Sequence, residues 1–196
     1  MPFILNEDAA LKLLLTGITV SDSGNPARPV GVWFGHPNVK VRQQAYPYIT
    51  IDLIGISEAF DRTHAGYITL PYTPEGGDEN KTYESYIPIP VNLEYQVTTF
   101  VREPRHDRQL IASLFAQGRL PFRFGYLPIP EDKTYRRLDM LGFSKRDTTE
   151  QDKRLLSNIY SIQVSSEMFR ENYMEVAAQV LYPPVIDLNE YPTIPV

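Results

Sequence analysis

The stretch that decides the fold is "IPVNLEYQVTTFVREPRHDRQLIASLFAQG", residues 89–118. Every second residue from Val91 to Val97 is apolar, which is the period of a strand with one buried face. Further on, apolar residues recur at helical spacing from Leu110 to Phe115, and Gly118 follows as a helix stop. The stretch therefore predicts a strand that leads directly into a helix.

The joint between this strand and helix, residues 102–108, is dense in charge. Arginines near a helix N-terminus are disfavoured by the helix dipole, so we expect Glu103 and Asp107 to offset them. Catalysis by His106 with Asp107 is disfavoured, because adjacent side chains diverge and no nucleophile lies beside them. Two interpretations remain: a surface salt-bridge cluster of small energetic value, or a contact between subunits, for which arginine is well suited. We favour the contact, formed by Arg102, Arg105, His106, Asp107 and Arg108.

The chain before this stretch predicts one helix and several short strands. Asn6 is a candidate helix cap with acidic residues in the first turn after it, and Gly17 is a candidate stop. Short strands are predicted at 30–36 and 66–70. Residues 71–86 are polar and bounded by proline, so they predict a long loop, which is usually functional or disordered.

The segment Tyr48–Ile56 alternates in the same way and predicts a strand with Ile49, Ile51 and Leu53 on its core face. The residues after it, "GISEA" at 55–59, resemble the G-x-S-x-G turn that presents a nucleophilic serine. The simpler interpretation is that Ser57 turns the chain after a strand. A serine hydrolase that uses Ser57 stays open as an alternative, with His64 or His106 as the base.

The chain after this stretch predicts further strands. Short strands are expected within 120–130 and at 134–143, and the polar run Ser144–Arg154 is expected to link the latter to an antiparallel strand within 155–165. Residues 173–181 fit both a strand and a helix. We favour a strand that returns as a hairpin against 160–165.

The last residues, 182–196, are rich in proline and cannot lie inside a sheet, so they predict an extended arm. Leaving its apolar side chains in water would cost about 25 cal/mol per Å² of apolar area, so we expect the arm to pack on its own domain or on a neighbour. The arm residues that we expect in a subunit contact are Tyr182, Pro183, Pro184, Val185, Ile186 and Tyr191.

Composition limits the class of protein. A chain of 196 residues that is 42% hydrophobic predicts one domain. Together with the predicted elements, this gives an α+β domain over 1–181, with a mixed, mainly antiparallel sheet and about two flanking helices, and the arm at 182–196. A net charge of −5 argues against binding nucleic acid through phosphate neutralisation. The N-terminal residues do not resemble a secretory leader, and no apolar run approaches the roughly 20 residues of a membrane span. We therefore expect a soluble protein made in the cytoplasm.

The residues offer little for cofactor or metal chemistry. There is no cysteine, and His36, His64 and His106 are too widely spaced for a metal-binding pair. Residues 78–84 resemble a calcium loop but have Tyr83 where that loop needs glycine. No phosphate-binding loop of the G-x-x-x-x-G-K type occurs. We expect no cofactor, no metal and no enzymatic activity.

The order of elements resembles the tail-terminator or neck proteins of tailed bacteriophages and related contractile injection particles. The resemblance covers residues 5–180: an N-terminal helix, strands, the strand "IPVNLEYQVTTFV" leading through "REPRHDRQLIASLF" into a helix, and more strands. It implies a small structural subunit that forms a ring, usually sixfold, and joins the tail tube to the head-side connector. DNA would pass through without specific binding, and the protein would belong to the virion after assembly in the host cytoplasm. A monomeric adaptor that binds through its C-terminal arm remains a further alternative.

Overall fold

The computed structural model describes residues 4–22, 26–35, 46–70, 77–78, 81–116, 118–131, 133–150, 153–168 and 173–176. Two α-helices and a set of strands in these residues confirm the α+β class. The helices are α1 (Leu5–Leu15) and α2 (Pro104–Ala116), with a short 3-10 helix at Phe60–Arg62. The strands are β1 (Thr19–Val20), β2 (Arg28–Pro29), β3 (Gly31–Phe34), β4 (Tyr48–Glu58), β5 (Tyr67–Thr69), β6 (Thr82–Tyr86), β7 (Ile89–Val101), β8 (Gly125–Ile129), β9 (Thr134–Glu150), β10 (Lys153–Met168) and β11 (Tyr173–Val176).

The described residues separate into two compact units. The larger unit lies within 1–64 and 88–168, and the smaller one contains 65–87 and the described residues after 168. Neither α-helix in the described part of the chain is long and apolar enough to cross a membrane. The single domain predicted over 1–181 remains a prediction, and its boundary with the arm lies outside the described residues, as does the arm itself.

A six-stranded sheet in the order β3-β4-β7-β10-β9-β8 organises the larger unit. Among its described strands, β3 and β4 run parallel and the other neighbours run antiparallel. The alternation predicted for β7 is confirmed, because Val91, Leu93, Tyr95 and Val97 are buried in the core.

Both helices cover the same face of this sheet. The Tyr95 hydroxyl of β7 donates a hydrogen bond to Asp8 of α1 over 2.7 Å. Tyr160 of β10, which pairs with Val97 on that face, lies 5.9 Å from Phe115 of α2 between ring centroids. The strand and helix of the deciding stretch therefore form one side of a single core.

The two helices begin and end largely as predicted. Pro104 is the first residue of α2, where its missing N–H costs no hydrogen bond. Gly17 and Gly118, which follow the helices, have positive φ values of 83° and 66°. The predicted cap at Asn6 is wrong: α1 begins one residue earlier, and Asn6 lies buried within its first turn.

The polar run Ser144–Arg154 was predicted as a link, and this prediction is wrong. β9 continues to Glu150 and β10 begins at Lys153, so most of the run forms a hairpin. Cross-strand pairing satisfies the backbone there, and Arg154 donates to Asp147 over 2.7 Å. Because both faces of this hairpin are polar, it lacks the alternation by which a strand is recognised.

The smaller unit contains a three-stranded sheet in the order β11-β6-β5. β6 lies in the segment predicted as a loop over 71–86, so that prediction is wrong for Thr82–Tyr86. The rings of Tyr67 and Tyr86 pack at 4.7 Å across the β5–β6 pair. β11 is a strand as expected, but it pairs with β6 and not with residues 160–165. β7 and β9 already border β10, so β11 has no place beside it there.

Candidate functional site

The predicted charged joint separates into a buried part and an exposed part. His106 is 4% exposed and Asp107 is 1% exposed, whereas Arg105 and Arg108 are exposed. Arg102 is partly buried and its guanidinium carbon lies 4.3 Å from the centroid of the Tyr46 ring. Of the three arginines in the joint, Arg105 and Arg108 are therefore the two that are exposed.

His106 ties the start of α2 to the segment after β1. Its Nε2 lies 2.5 Å from Asp22 Oδ1 and 3.6 Å from Glu103 Oε2. One turn further along α2, Gln109 accepts from the Ser21 N–H and donates back to the Ser21 carbonyl, over 2.9 and 3.0 Å. These contacts hold the first two turns of α2 against the segment that follows β1.

Asp22, Glu103 and His106 are also the described residues that could hold a metal ion. Their ligand atoms lie within 4.8 Å of one another. The Nε2 that would bind the ion is the atom that already contacts Asp22, so coordination there would replace that contact.

Asp107 is the centre of a second buried network. It accepts from Lys145 of β9 over 2.9 Å and from the Asn158 amide of β10 over 2.5 Å. Asn158 also donates to Thr99 of β7 over 3.2 Å. The prediction that Asp107 offsets the neighbouring arginines is therefore wrong: its partners come from the adjacent strands, and Glu103 faces His106.

The network also affects a neighbouring tyrosine. Burial raises the pKa of Tyr160, and the negative charge of Asp107 raises it further. The Tyr160 ring lies 5.2 Å from that of Phe143, so the charged network borders an aromatic cluster at the side of the sheet.

One side of the six-stranded sheet, here called the β4 edge, exposes apolar side chains. β3 borders β4 only from Tyr48 to Ile51, and beyond that point no described strand borders this side of β4, the side away from β7. Leu53 was predicted to be in the core, but it is exposed because this cover ends. The exposed apolar residues of the β4 edge are Trp33, Phe34, Leu53, Ile54 and Ile56.

The opposite side, here called the β9 edge, is built in the same way. β8 borders β9 only from Thr134 to Leu138, and from there to Glu150 no strand in the described ranges borders that side of β9. The ring of Phe122 stacks on Phe115 of α2 at 5.2 Å, and Phe143 lies 6.0 Å from Phe115. The exposed apolar residues of the β9 edge are Phe122, Phe124, Tyr126, Tyr135, Leu141 and Phe143.

The structure gives no support to the hydrolase alternative. Ser57 lies within β4, where it pairs with Asn92, and not on a sharp turn between a strand and a helix. His64 is exposed and His106 is buried against Asp22, while His36 lies outside the described residues.

A polar groove of about 390 Å³ opens on the sheet of the larger unit. Charged residues in it are paired with other groups: Arg137 donates to Asp139 over 2.6 Å, and Arg62 donates to Asn92 over 3.0 Å. None of the described residues that line it is a histidine or cysteine that would serve as a base or nucleophile.

Sequence reasoning missed both apolar edges. Alternating apolar residues predict a buried face, and the pattern does not show where a neighbouring strand ends. The available signal was "PFRFGY", residues 121–126. Its aromatic residues lie beside a short strand and are too many to be buried on one face of that strand, which indicates an exposed aromatic patch.

Comparison with known proteins gave likenesses to solved structures but none by sequence. No family model and no curated protein matches the chain. A solved structure that it resembles is the sheath/tube terminator of PVC, an extracellular contractile injection system, in the extended state, with 14% sequence identity and a TM-score of 0.47. The match covers 91% of this chain and 62% of that one, so the chain spans less than two thirds of its length.

Proposed function

We propose that this protein is a structural subunit without enzymatic activity that closes into a head-to-tail ring, as a tail terminator or neck component. The observation that carries the proposal is the pair of apolar edges on opposite sides of one sheet. Exposed apolar patches on a soluble chain mark interaction sites, and sheet edges with unpaired backbone groups mark sites of strand addition.

The two edges differ from each other, and this favours a ring over a simple dimer. A twofold dimer uses the same patch on both subunits, whereas a head-to-tail contact joins two different patches. The β4 edge is mainly aliphatic and the β9 edge mainly aromatic. Each copy would use one edge towards each neighbour, and such a chain forms a ring when the fixed rotation between copies returns to the first copy.

The finer features of the role follow from the family that the element order resembles. We propose a homohexamer that joins a tail tube to a head-side connector in a tailed phage or a related contractile particle, assembled in the host cytoplasm and retained in the virion. DNA would pass through the ring without specific binding, since a net charge of −5 repels phosphate. The exposed Arg105 and Arg108 of the charged joint, and the arm at 182–196, are proposed as further contacts between subunits.

The test is the mass of the purified protein by light scattering over a range of concentrations and at two salt concentrations, with negative-stain images of the main species. A closed ring is expected, and it should persist at high salt because its contacts are mainly apolar. A monomer at every concentration would overturn the proposal. Leu13→Asp serves as the control for a surface charge, because this exposed leucine of α1 belongs to neither edge.

A further inference from the structure

One row of side chains crosses the six-stranded sheet from edge to edge. Phe34 of β3 pairs with Ile51, Ile51 with Val97, Val97 with Tyr160, and Tyr160 with Phe143 of β9. Directly paired residues point to the same face of a sheet. The row therefore has an exposed phenylalanine at each end on the same face, and each is 42% exposed.

The two edges also have complementary steps: β3 and β8 each cover only part of their edge, and the parts that they cover lie in different rows of the sheet. β3 lies in the row that ends at Phe143, where β8 does not border β9. β8 begins in the row that contains Ile56, because Gly125 pairs with Leu138 and this row continues through Val164 and Leu93. In that row β3 does not border β4. Each edge strand thus occupies rows that the opposite edge leaves open.

We infer that neighbouring copies of this chain join their sheets at these steps, with β3 of one copy beside β9 of the next and β8 beside β4. The inference rests on the proposed ring and specifies its contact. Strand directions follow from the pairing: the β3–β9 contact is antiparallel and the β8–β4 contact is parallel. Phe34 and Phe143 of adjacent copies then become direct neighbours across the junction.

Charge on the two edges supports a second copy as the occupant. Asp52 and Glu58 belong to β4, and Glu58 is exposed. Arg123, just before β8, and Arg146 of β9 are both exposed. Opposite charges at these four positions favour a head-to-tail contact over a contact between two identical edges.

The experiment uses cysteine pairs, because the chain has no cysteine of its own. Phe34→Cys combined with Phe143→Cys places one thiol at each end of the row, within reach of a disulfide or a short bismaleimide between copies. Mild oxidation of the full chain should give a ladder of covalent oligomers up to the size of the ring. Leu13→Cys with Phe143→Cys is the matched control, and it should give no ladder.

The outcomes distinguish a failure of the proposed strand contact from a failure of the proposed ring. A ladder with Phe34→Cys/Phe143→Cys and none with the control supports the inference. A ring of normal mass that gives no ladder overturns the strand order and leaves the proposed ring intact. A chain that stays monomeric at every concentration overturns both. Circular dichroism and thermal unfolding of both variants show that each still folds.

Discussion

Ile54 and Leu141 occupy equivalent positions on opposite sides of the six-stranded sheet. Each is the extra residue of a β-bulge, in β4 and in β9, just beyond the last residue that an edge strand covers. They are 56% and 58% exposed. A bulge redirects a side chain and disrupts the regular ladder locally, so each edge presents an exposed aliphatic residue just beyond its covered part.

Charged substitutions at these positions should abolish the ring without unfolding the chain. Ile54→Asp and Leu141→Asp each place a carboxylate in a contact that would lose water, which strongly disfavours association. Both variants should be monomers by light scattering and should unfold within about 0.5 kcal/mol of the parent, because both sites are on the surface. A ring formed by either variant would contradict the use of that edge.

Mixing the two monomeric variants tests the head-to-tail arrangement. Ile54→Asp keeps an intact β9 edge and Leu141→Asp keeps an intact β4 edge, so one functional contact is available between them. A mixture in equal amounts should give a dimer and nothing larger. If two copies of the same variant dimerised alone, the contact would be twofold and the proposed ring would be wrong.

The sequence predicted the strands with one buried face and the helix after β7, because their periodicity is local. It missed features that depend on distant residues. Asp107 meets Asn158, and His106 meets Asp22, which stands 84 positions away in the chain. The hairpin at the end of β9 was missed because both of its faces are polar, and Leu53 was misplaced because its exposure depends on where β3 ends.

Loss of the Asp107 carboxylate should destabilise the larger unit. Asp107→Ala leaves the Asn158 amide buried without this acceptor, which costs about 1–3 kcal/mol, and removes the partner of Lys145 as well. Urea unfolding should show this loss. Arg105→Ala, at an exposed neighbouring position, is the control and should change stability by less than about 0.5 kcal/mol. Equal effects of the two substitutions would contradict the structural role of the network.

The buried tyrosines should make the fold sensitive to alkali. Burial raises the pKa of Tyr95 and Tyr160 in the folded chain, and in Tyr95 the hydrogen bond to Asp8 adds to the rise. An unfolded tyrosine ionises near pH 10, so this stability is fully present below about pH 10 and is lost as the pH rises towards the folded values. Each tyrosine should reduce the free energy of unfolding by about 1.4 kcal/mol per pH unit in that window.

Tyr160→Phe checks this sensitivity, because it keeps the ring and removes one ionising group. Above pH 10, its free energy of unfolding should fall less steeply with pH than that of the parent. The difference in slope should equal the contribution of one ionising proton. A parent curve that is flat from pH 10 to about 12 would contradict the expected rise in both tyrosines.

Two glycines of the β9 edge give the sharpest test of how β8 is held. A methyl group on Gly125 would overlap Pro121 Cγ and the Leu138 carbonyl oxygen, so Gly125→Ala has to displace backbone at the β8–β9 pairing. Overpacking of this kind costs about 1–3 kcal/mol. Gly142→Ala meets nothing within 4 Å and is the matched control, with an expected change below about 1 kcal/mol. Thermal unfolding compares the stabilities of the two variants, and light scattering compares the ring of Gly125→Ala with that of the parent. If β8 forms half of the contact with β4, Gly125→Ala should weaken the ring at temperatures where the chain is still folded, whereas an unchanged ring would show that β8 is not part of the contact.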